Sequence, residues 1–394
     1  MPSARPNARQ TLNGVFFIHG LLFASWAAHI PHVKTHLGLS NGSLGLVLLA
    51  TPVGSISAMA IGAWLLPRVG SKRMVPSCVI GYALAGPFVG LAGSPALLFA
   101  ALLVWGGFQG TLDVSMNTQG VTQERAARRT LMSGLHGRWS LGALAGAGAG
   151  ALGVWLGLSL TVQLIILGIP VLAGVPLTTS LLAVDSASTA PHNHETGRRR
   201  WTGMVVLLGA IAFASMLGEG AAADWSAVYL RDSLGATALV ASLGYAVFVL
   251  AMVVVRLRAD RLFARYQVAR VLTVLSGAAA VVFAAGLLSS NAVAALIGLA
   301  ALGGGLAAVV PSVFSAAGQL PGLPAGAGIA VISAMGWAGF VFGPPIIGQL
   351  ASLTSLPVAL GVVPLLAAFI ALAVHRALPH RVSQAHAESL TAHS

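Results

Sequence analysis

The residues best placed to do chemistry lie in "WGGFQGTLDVSMNTQG", Trp105 to Gly120, where Gln109, Asp113 and Asn117 are spaced four apart. On a helix that spacing puts all three on one face, so a carboxylate stands between two amides in a polar stripe. Such a stripe can hydrogen-bond a polar solute, and its carboxylate can take up and release a proton. The surrounding residues are apolar. In the middle of a membrane helix a carboxylate costs about 2.5–3.5 kcal/mol on insertion scales, so it is expected to face a cavity or a partner.

Composition makes a membrane the relevant solvent. Of 394 residues, 57% are hydrophobic and 8% charged, against about 25% charged in a soluble domain. Apolar runs of the roughly 20 residues that cross a bilayer recur along the chain. Read against their breakers they give twelve spans, near 12–30, 44–66, 74–92, 95–121, 131–156, 160–184, 202–224, 237–257, 269–289, 291–316, 325–351 and 355–375. All are expected to be helices, since an open strand edge cannot stay unpaired in lipid and the runs are too continuous for barrel strands. The apolar run after "MPSARPNARQ" is longer than a signal-peptide core and has no convincing cleavage site, so it is expected to be a retained first span.

Lys and Arg alternate between the two sides. Arg5, Arg9, Arg68, Lys72, Arg73, Arg125, Arg128, Arg129 and Arg198 to Arg200 fall on one side with Arg256, Arg258, Arg261, Arg265, Arg270, Arg376 and Arg381. Only Lys34 and Arg231 fall on the other, and Arg138 lies inside a span. The bias predicts a cytoplasmic (inner) membrane protein with both termini in the cytoplasm. The net charge of +12 follows the membrane and forms no stripe for nucleic acid. Cys78 is the single cysteine, so no internal disulfide can form. There is no HExxH, nucleophile elbow or phosphate-binding GxxxxGK[ST], so neither a hydrolase nor an ATP-driven pump is indicated, and no enzyme activity or cofactor is expected. His29, His32 and His36 have helical spacing, but Pro31 interrupts them and no acid or cysteine is close, so no metal site is expected.

The polar stretch "DSASTAPHNHETGRRR", Asp185 to Arg200, divides the chain in two. The parts echo each other: "FAS" precedes Trp26 and Met216, "LG" recurs at Leu37 and Leu234, and glycines recur at Gly142 and Gly146 and at Gly339 and Gly343. The offset of about 190–197 residues fits two copies of a six-helix unit. The expected organisation is an N-terminal tail over 1–11, a six-helix bundle over 12–184, a linker over 185–201, a second bundle over 202–376 and a tail over 377–394.

In these features the chain resembles the major facilitator superfamily of secondary transporters, over essentially its whole length. The resemblance implies an all-α integral membrane fold with 12 transmembrane helices in two six-helix pseudo-repeat bundles. It also implies a gate on the cytoplasmic side, where the family carries Asp-Arg followed by Gly and further basic residues. Here "LPRVGSKR" keeps Arg68, Gly70, Lys72 and Arg73 with Pro67 in place of the acid, and the second copy keeps Asp260, Arg261 and Arg265. The segments "WAAHIPHVK", "LDVSMNTQG", "LMSGLHGRWSLG" and "EGAAADWSAVYLRD" resemble the YbjJ-type bacterial branch, which looks related to fucose–proton symporters. Gly106 at the family's fourth-span arginine position and Ala147 at the proline position of drug–proton antiporters depart from multidrug exporters. No acid stands in the first span between Leu12 and Ile30, where the fucose symporters have one.

The remaining candidates are read against that frame of helices. Measured from the hairpin "QERAARRT", Asp113 and Arg138 lie about 18 and 13.5 Å deep at 1.5 Å per residue, so they are expected to pair directly or to share a water or solute. The alternative is a fixed ion pair that locks two helices. His136, two residues from Arg138, is expected to point to a different helix. His19 and Trp26 share a face of the first span, with His19 either a solute or proton ligand or a packed, satisfied histidine. Glu219 is expected near the outer end of the seventh span, as a second proton site or an outer gate, with Asp224, Trp225 and Tyr229 at the lipid interface. Ser333 and Trp337 line the eleventh span ahead of "GFVFGPPIIG", whose prolines permit a bend. Together these predict a proton-coupled secondary transporter of a small polar solute, which the resemblance implies to be sugar-like, working as a monomer in lipid. Proton-driven efflux of an amphipathic compound, or a non-transporting sensor or scaffold, are the alternatives.

Overall fold

The computed structural model describes residues 6–127, 131–179, 181–182, 203–318, 320 and 325–378, and among these it contains helices and no strand. The first bundle comprises α1 (Pro6–Ser25), α2 (Ile30–His36), α3 (Asn41–Leu48), α4 (Ala50–Val69), α5 (Ser71–Gly90), α6 (Pro95–Ala127), α7 (Met132–Trp155) and α8 (Leu160–Thr179). The second comprises α9 (Gly203–Val228), α10 (Ala238–Arg265), α11 (Val268–Leu288), α12 (Ala292–Leu306), α13 (Val309–Ala317), α14 (Ala325–Leu353), α15 (Leu356–Leu360) and α16 (Val362–Ala377). Joined end to end where one apolar run holds two of them, they make twelve spans. Nine helical segments among the described residues are long and apolar enough to cross a membrane, and Leu160–Val175 is apolar but shorter.

The two bundles repeat one packing scheme. In the first, α7 packs on α1, α6 on α4 and α5, and α8 on α5; in the second, α14 packs on α9, α12 on α10 and α11, and α16 on α11. Small residues let these backbones touch, as membrane helix interfaces require. A Cβ added to Gly142 would stand 2.0 Å from the carbonyl oxygen of Phe17, and one on Gly339 2.4 Å from that of Phe213. Gly142 and Gly339 are the glycines that echo each other in sequence. The repeated "LG" also has a backbone cause: Gly38 and Gly235 both have φ of 62°, a left-handed turn that ends each copy's opening segment.

Several boundaries differ from expectation. Pro31 does not stop the first span, because it falls in the first turn of α2, where its missing N–H costs no hydrogen bond. α9 continues through a π turn, Tyr229–Ser233, so the seventh span ends well beyond 224. α10 runs on to Arg265, which places the basic segment from Arg256 on a helix instead of in a loop. The tenth span is broken between α12 and α13, at the buried Ala307 and Ala308.

The face that carries the α4–α5 and α10–α11 junctions is rich in Arg and Lys and is called the basic face below. On the opposite face the bundles are closed. There α3 meets α14 so tightly that a Cβ on Gly45 would lie 2.4 Å from the Pro344 carbonyl oxygen. Lys34, after α1, also pairs with Asp232 of the π turn across the two bundles. Toward the basic face α4 barely touches α14, and Arg68, Arg73, Arg261 and Arg265 are exposed. The bundles thus meet through α3 and α14 on the opposite face, and α4 and α14 stand apart toward the basic face.

Candidate functional site

Asp113 lies within α6, half-buried, and the Nδ2 of Asn117 donates both to its backbone oxygen at 2.8 Å and to its Oδ1 at 3.2 Å. Gln109, Asp113 and Asn117 lie on the one helix at one-turn spacing. Gln109, one turn earlier, is buried, and its Oε1 has no hydrogen-bond partner among the described residues.

Arg138 does not pair with Asp113: Lys34–Asp232 is the one ion pair among the described residues, and Arg138 is exposed. The hairpin explains this. α6 and α7 are consecutive but scarcely in contact, because α7 packs on α1 and α10 while α6 packs on α4 and α5. Equal depth did not bring them into direct contact. Glu124, at the end of α6, instead caps α7 by accepting from the backbone N–H of Leu131 at 2.5 Å and Met132 at 2.9 Å.

His19 is 3% exposed and has both ring nitrogens engaged. The Trp139 indole donates to its Nδ1 at 2.7 Å; an indole can only donate, so the proton sits on Nε2, which donates to the Gln109 backbone oxygen at 3.3 Å. The satisfied-histidine alternative describes it. His19 thus ties α7 to α6 through α1 and stacks beside Tyr82, with ring centroids 5.9 Å apart. Trp26 packs edge-on against Trp105 at 6.3 Å and is a core anchor. His29 donates to Gln163 Oε1 at 2.8 Å, while His32 and His36 stack on each other. No group of three or more His, Cys, Asp or Glu that could hold a metal occurs among the described residues.

The second bundle departs most from expectation. Because the seventh span runs from 203 to 233, Glu219 lies at its middle and not near its end. Glu219 is half-buried, with Ser215 one turn before it on α9. Trp225 and Tyr229 are fully buried, with the Tyr229 hydroxyl donating to the Gly286 carbonyl oxygen at 3.4 Å, so neither is an interfacial anchor. Asp224 is half-buried within the span. Ser333 and Trp337 sit half-buried on α14, the latter against Phe340 with centroids 5.6 Å apart.

Arg256 was missed from sequence because it was counted among the loop cations. Its Nε donates to the Ala307 oxygen at 2.9 Å, and its Nη1 donates to Ser140 Oγ of α7, in the other bundle, at 3.0 Å. His136, one turn before Ser140, stands edge-on to Phe16 of α1, with ring centroids 5.5 Å apart. A signal for this site was present in Pro311, which stands four residues after Ala307. Proline has no N–H to give to the Ala307 carbonyl, and Arg256 takes that acceptor.

Of the expected gate, Arg68 folds back along α4, donating to the Trp64 oxygen and lying 3.9 Å over the Trp64 ring. Gly70 forms the α4–α5 junction with φ of 79°, and Lys72 is half-buried. The side chain of Asp260 lies outside the described residues.

A two-bundle helical membrane protein whose halves meet through α3 and α14 on one face, with an arginine of one half bonded to the other, has the architecture of a membrane transporter. The chain belongs to the major facilitator superfamily: the family pattern described as Major Facilitator Superfamily matches residues 12–325. It is 37% identical to an uncharacterized MFS-type transporter of Yersinia pestis over 359 residues, which cover 89% of this chain and 91% of that one. It is 30% identical to membrane protein MosC of Rhizobium meliloti, over 89% of this chain and 86% of that one. A crystal structure of a mutant nucleoside transporter NupG superposes with a TM-score of 0.75 at 12% identity, covering 94% and 99% of the two chains. An inward-facing, unoccupied bacterial homolog of the human lysosomal transporter Spinster superposes with a TM-score of 0.68 at 14% identity, covering 95% and 98%. The protein is a membrane transporter and not an enzyme.

Proposed function

We propose that the protein is a proton-coupled secondary transporter of a small polar, sugar-like solute, with the coupling carboxylate at Asp113. The supporting observation is the placement of Asp113: mid-helix and half-buried, with one amide neighbour and, among the described residues, no ion pair. An intramembrane acid without a countercharge is costly unless it titrates or binds. Gln109 and Asn117 supply amides for solute hydroxyls; Arg138 and His136 supply donors from α7, and Ser333 and Trp337 line the opposite bundle. His19 holds this wall in place instead of touching the solute. The chain falls in the YbjJ-type branch on the four segments quoted above and acts as a monomer.

In this reading the bundles 12–184 and 202–376 rock about the site, joined by the linker 185–201. The basic face is cytoplasmic, so the conformation described is open inward. Lys34–Asp232 and the contact of α3 with α14 form the outer closure. Arg68 to Arg73 and Asp260 to Arg265 form the inner gate when the cavity turns outward.

The test is purified protein in liposomes loaded with a pH dye, challenged with sugars, polyols, organic acids and amphipathic drugs, beside Asp113→Asn. Solute-driven proton movement with polyols or sugars, lost in the variant, is the expected result. Proton movement that survives in Asp113→Asn makes that carboxylate structural. Movement driven only by amphipathic drugs favours efflux, and binding without flux favours a sensor.

A further inference from the structure

We propose that Asn41 biases the two bundles against closure of the face opposite the basic one: its side-chain oxygen gives up water when α3 meets α14 and regains it when they part. The inference rests on alternating access as proposed above but not on Asp113 or on proton coupling. Asn41 opens α3, and the contact between the bundles is built around it. A Cβ on Gly348 of α14 would stand 2.6 Å from the Asn41 backbone oxygen and 3.0 Å from the Gly45 Cα. One on Gly42 would stand 2.7 Å from Ser352 Oγ and 3.3 Å from Gln349 Nε2. The two helices touch backbone to backbone here.

The side chains around this contact answer one another. Gln349 Nε2 donates to the Gly42 oxygen at 3.4 Å, and Ser352 Oγ donates to the Gly348 oxygen at 3.0 Å. Ser40 Oγ caps α3 by accepting from the Ser43 N–H at 3.1 Å, so Asn41 is not needed as the cap. Asn41 Oδ1, by contrast, is buried with no hydrogen-bond partner among the described residues. A buried acceptor left unmade costs its desolvation. Inside one bundle that cost would fall on both conformations alike; at the α3–α14 contact it falls on the closed one alone. The backbone contact and the Lys34–Asp232 pair favour closure, and Asn41 opposes them, which keeps the closed face able to reopen.

The experiment is double electron–electron resonance on the full chain carrying Cys78→Ala, with spin labels on cysteines at Ala96 and Ala238, exposed on that face. It is made in the otherwise wild-type protein and in Lys34→Asp, whose weakened closure populates the open form. Asn41→Leu keeps the shape and removes the polar atoms, so it should move the closed-to-open ratio toward closed by roughly 5–150-fold, the equilibrium equivalent of one unmade buried hydrogen bond. Asn41→Asp puts a charge on the same buried group and should move the ratio toward open; the favourable placing of an acid at a helix start is common to both forms and cancels. Ser40→Ala, which removes the cap and leaves Asn41 as it is, should lower the thermal unfolding midpoint without a shift of that size in the ratio. The proposal is overturned if Asn41→Leu leaves the ratio unchanged in both backgrounds. It is equally overturned if Asn41→Leu opens the face, which would mean that a bound water or a donor serves Oδ1 in the closed form. If the labels hold one distance in every variant, including Gly45→Ala, which forces the same contact apart, alternating access itself fails and this inference falls with it. A shift in Gly45→Ala but none in Asn41→Leu sinks this inference alone.

Discussion

Glycine to alanine should have opposite consequences at two kinds of contact. At Gly146, on the seam between α1 and α7, an added Cβ would stand 2.1 Å from the Leu21 oxygen. At Gly45, between the bundles, it would stand 2.4 Å from the Pro344 oxygen. An ordinary carbon–oxygen approach is about 3.3–3.6 Å even for a C–H donor, so each substitution forces the two backbones about 1 Å apart. Overpacking of that kind costs roughly 1–3 kcal/mol. The α1–α7 seam lies within a bundle and persists in both conformations, so Gly146→Ala should lower the thermal stability of detergent-purified protein. The Gly45 contact exists only while the opposite face is closed. Gly45→Ala should therefore leave stability nearly intact and move the population toward the outward-open form by roughly 5–150-fold, the same energy read as an equilibrium constant. Distances between spin labels at the exposed Ala96 and Ala238, on the closed face, report the shift. A Gly45→Ala protein that loses as much stability as Gly146→Ala, with no change in those distances, refutes the reasoning.

Lys34→Asp and Asp232→Lys should each weaken closure of the same face, and the double exchange should restore it. With side chains 13% and 33% exposed, the pair is worth about 1 kcal/mol at most, or roughly fivefold in the same distance measurement. Trp139→Phe should cost about 1–3 kcal/mol by leaving the buried His19 Nδ1 unpaired, visible as a lower midpoint in a thermal unfolding scan, while His19→Gln in the same background should recover part of the loss.

The spans were legible because apolar runs of bilayer length leave little choice of structure, and the Gln109–Asp113–Asn117 stripe because four-residue spacing determines a helix face without reference to other helices. Lateral neighbours were not legible. Asp113 and Arg138 stand at similar depths on consecutive helices, yet the bundle seats α7 on α1 and α10, and chain adjacency says nothing of that choice. Glu219 was placed too shallow because Asp224 and Trp225 read as an interface, whereas the helix carries them on into a packed core. Arg256 was hidden by its company: within a run of loop-like cations its depth depends on where α10 ends. The proline that orphans Ala307 was visible in sequence, but only the fold shows which donor answers it.

The arginine laid over Trp64 has a consequence for the lipid. Trp64 is 60% exposed on α4, so the Arg68 laid over it is placed where a basic side chain can reach a headgroup layer, and not across the gate proposed above. For the gate to form, that guanidinium must leave the membrane surface. Anionic headgroups, which hold a basic side chain by about 1 kcal/mol, then compete with the second bundle for the same cation. The leaflet's phospholipid composition thereby enters the gating equilibrium as a tuning variable, and a bilayer rich in phosphatidylglycerol should slow the turn outward relative to a zwitterionic one.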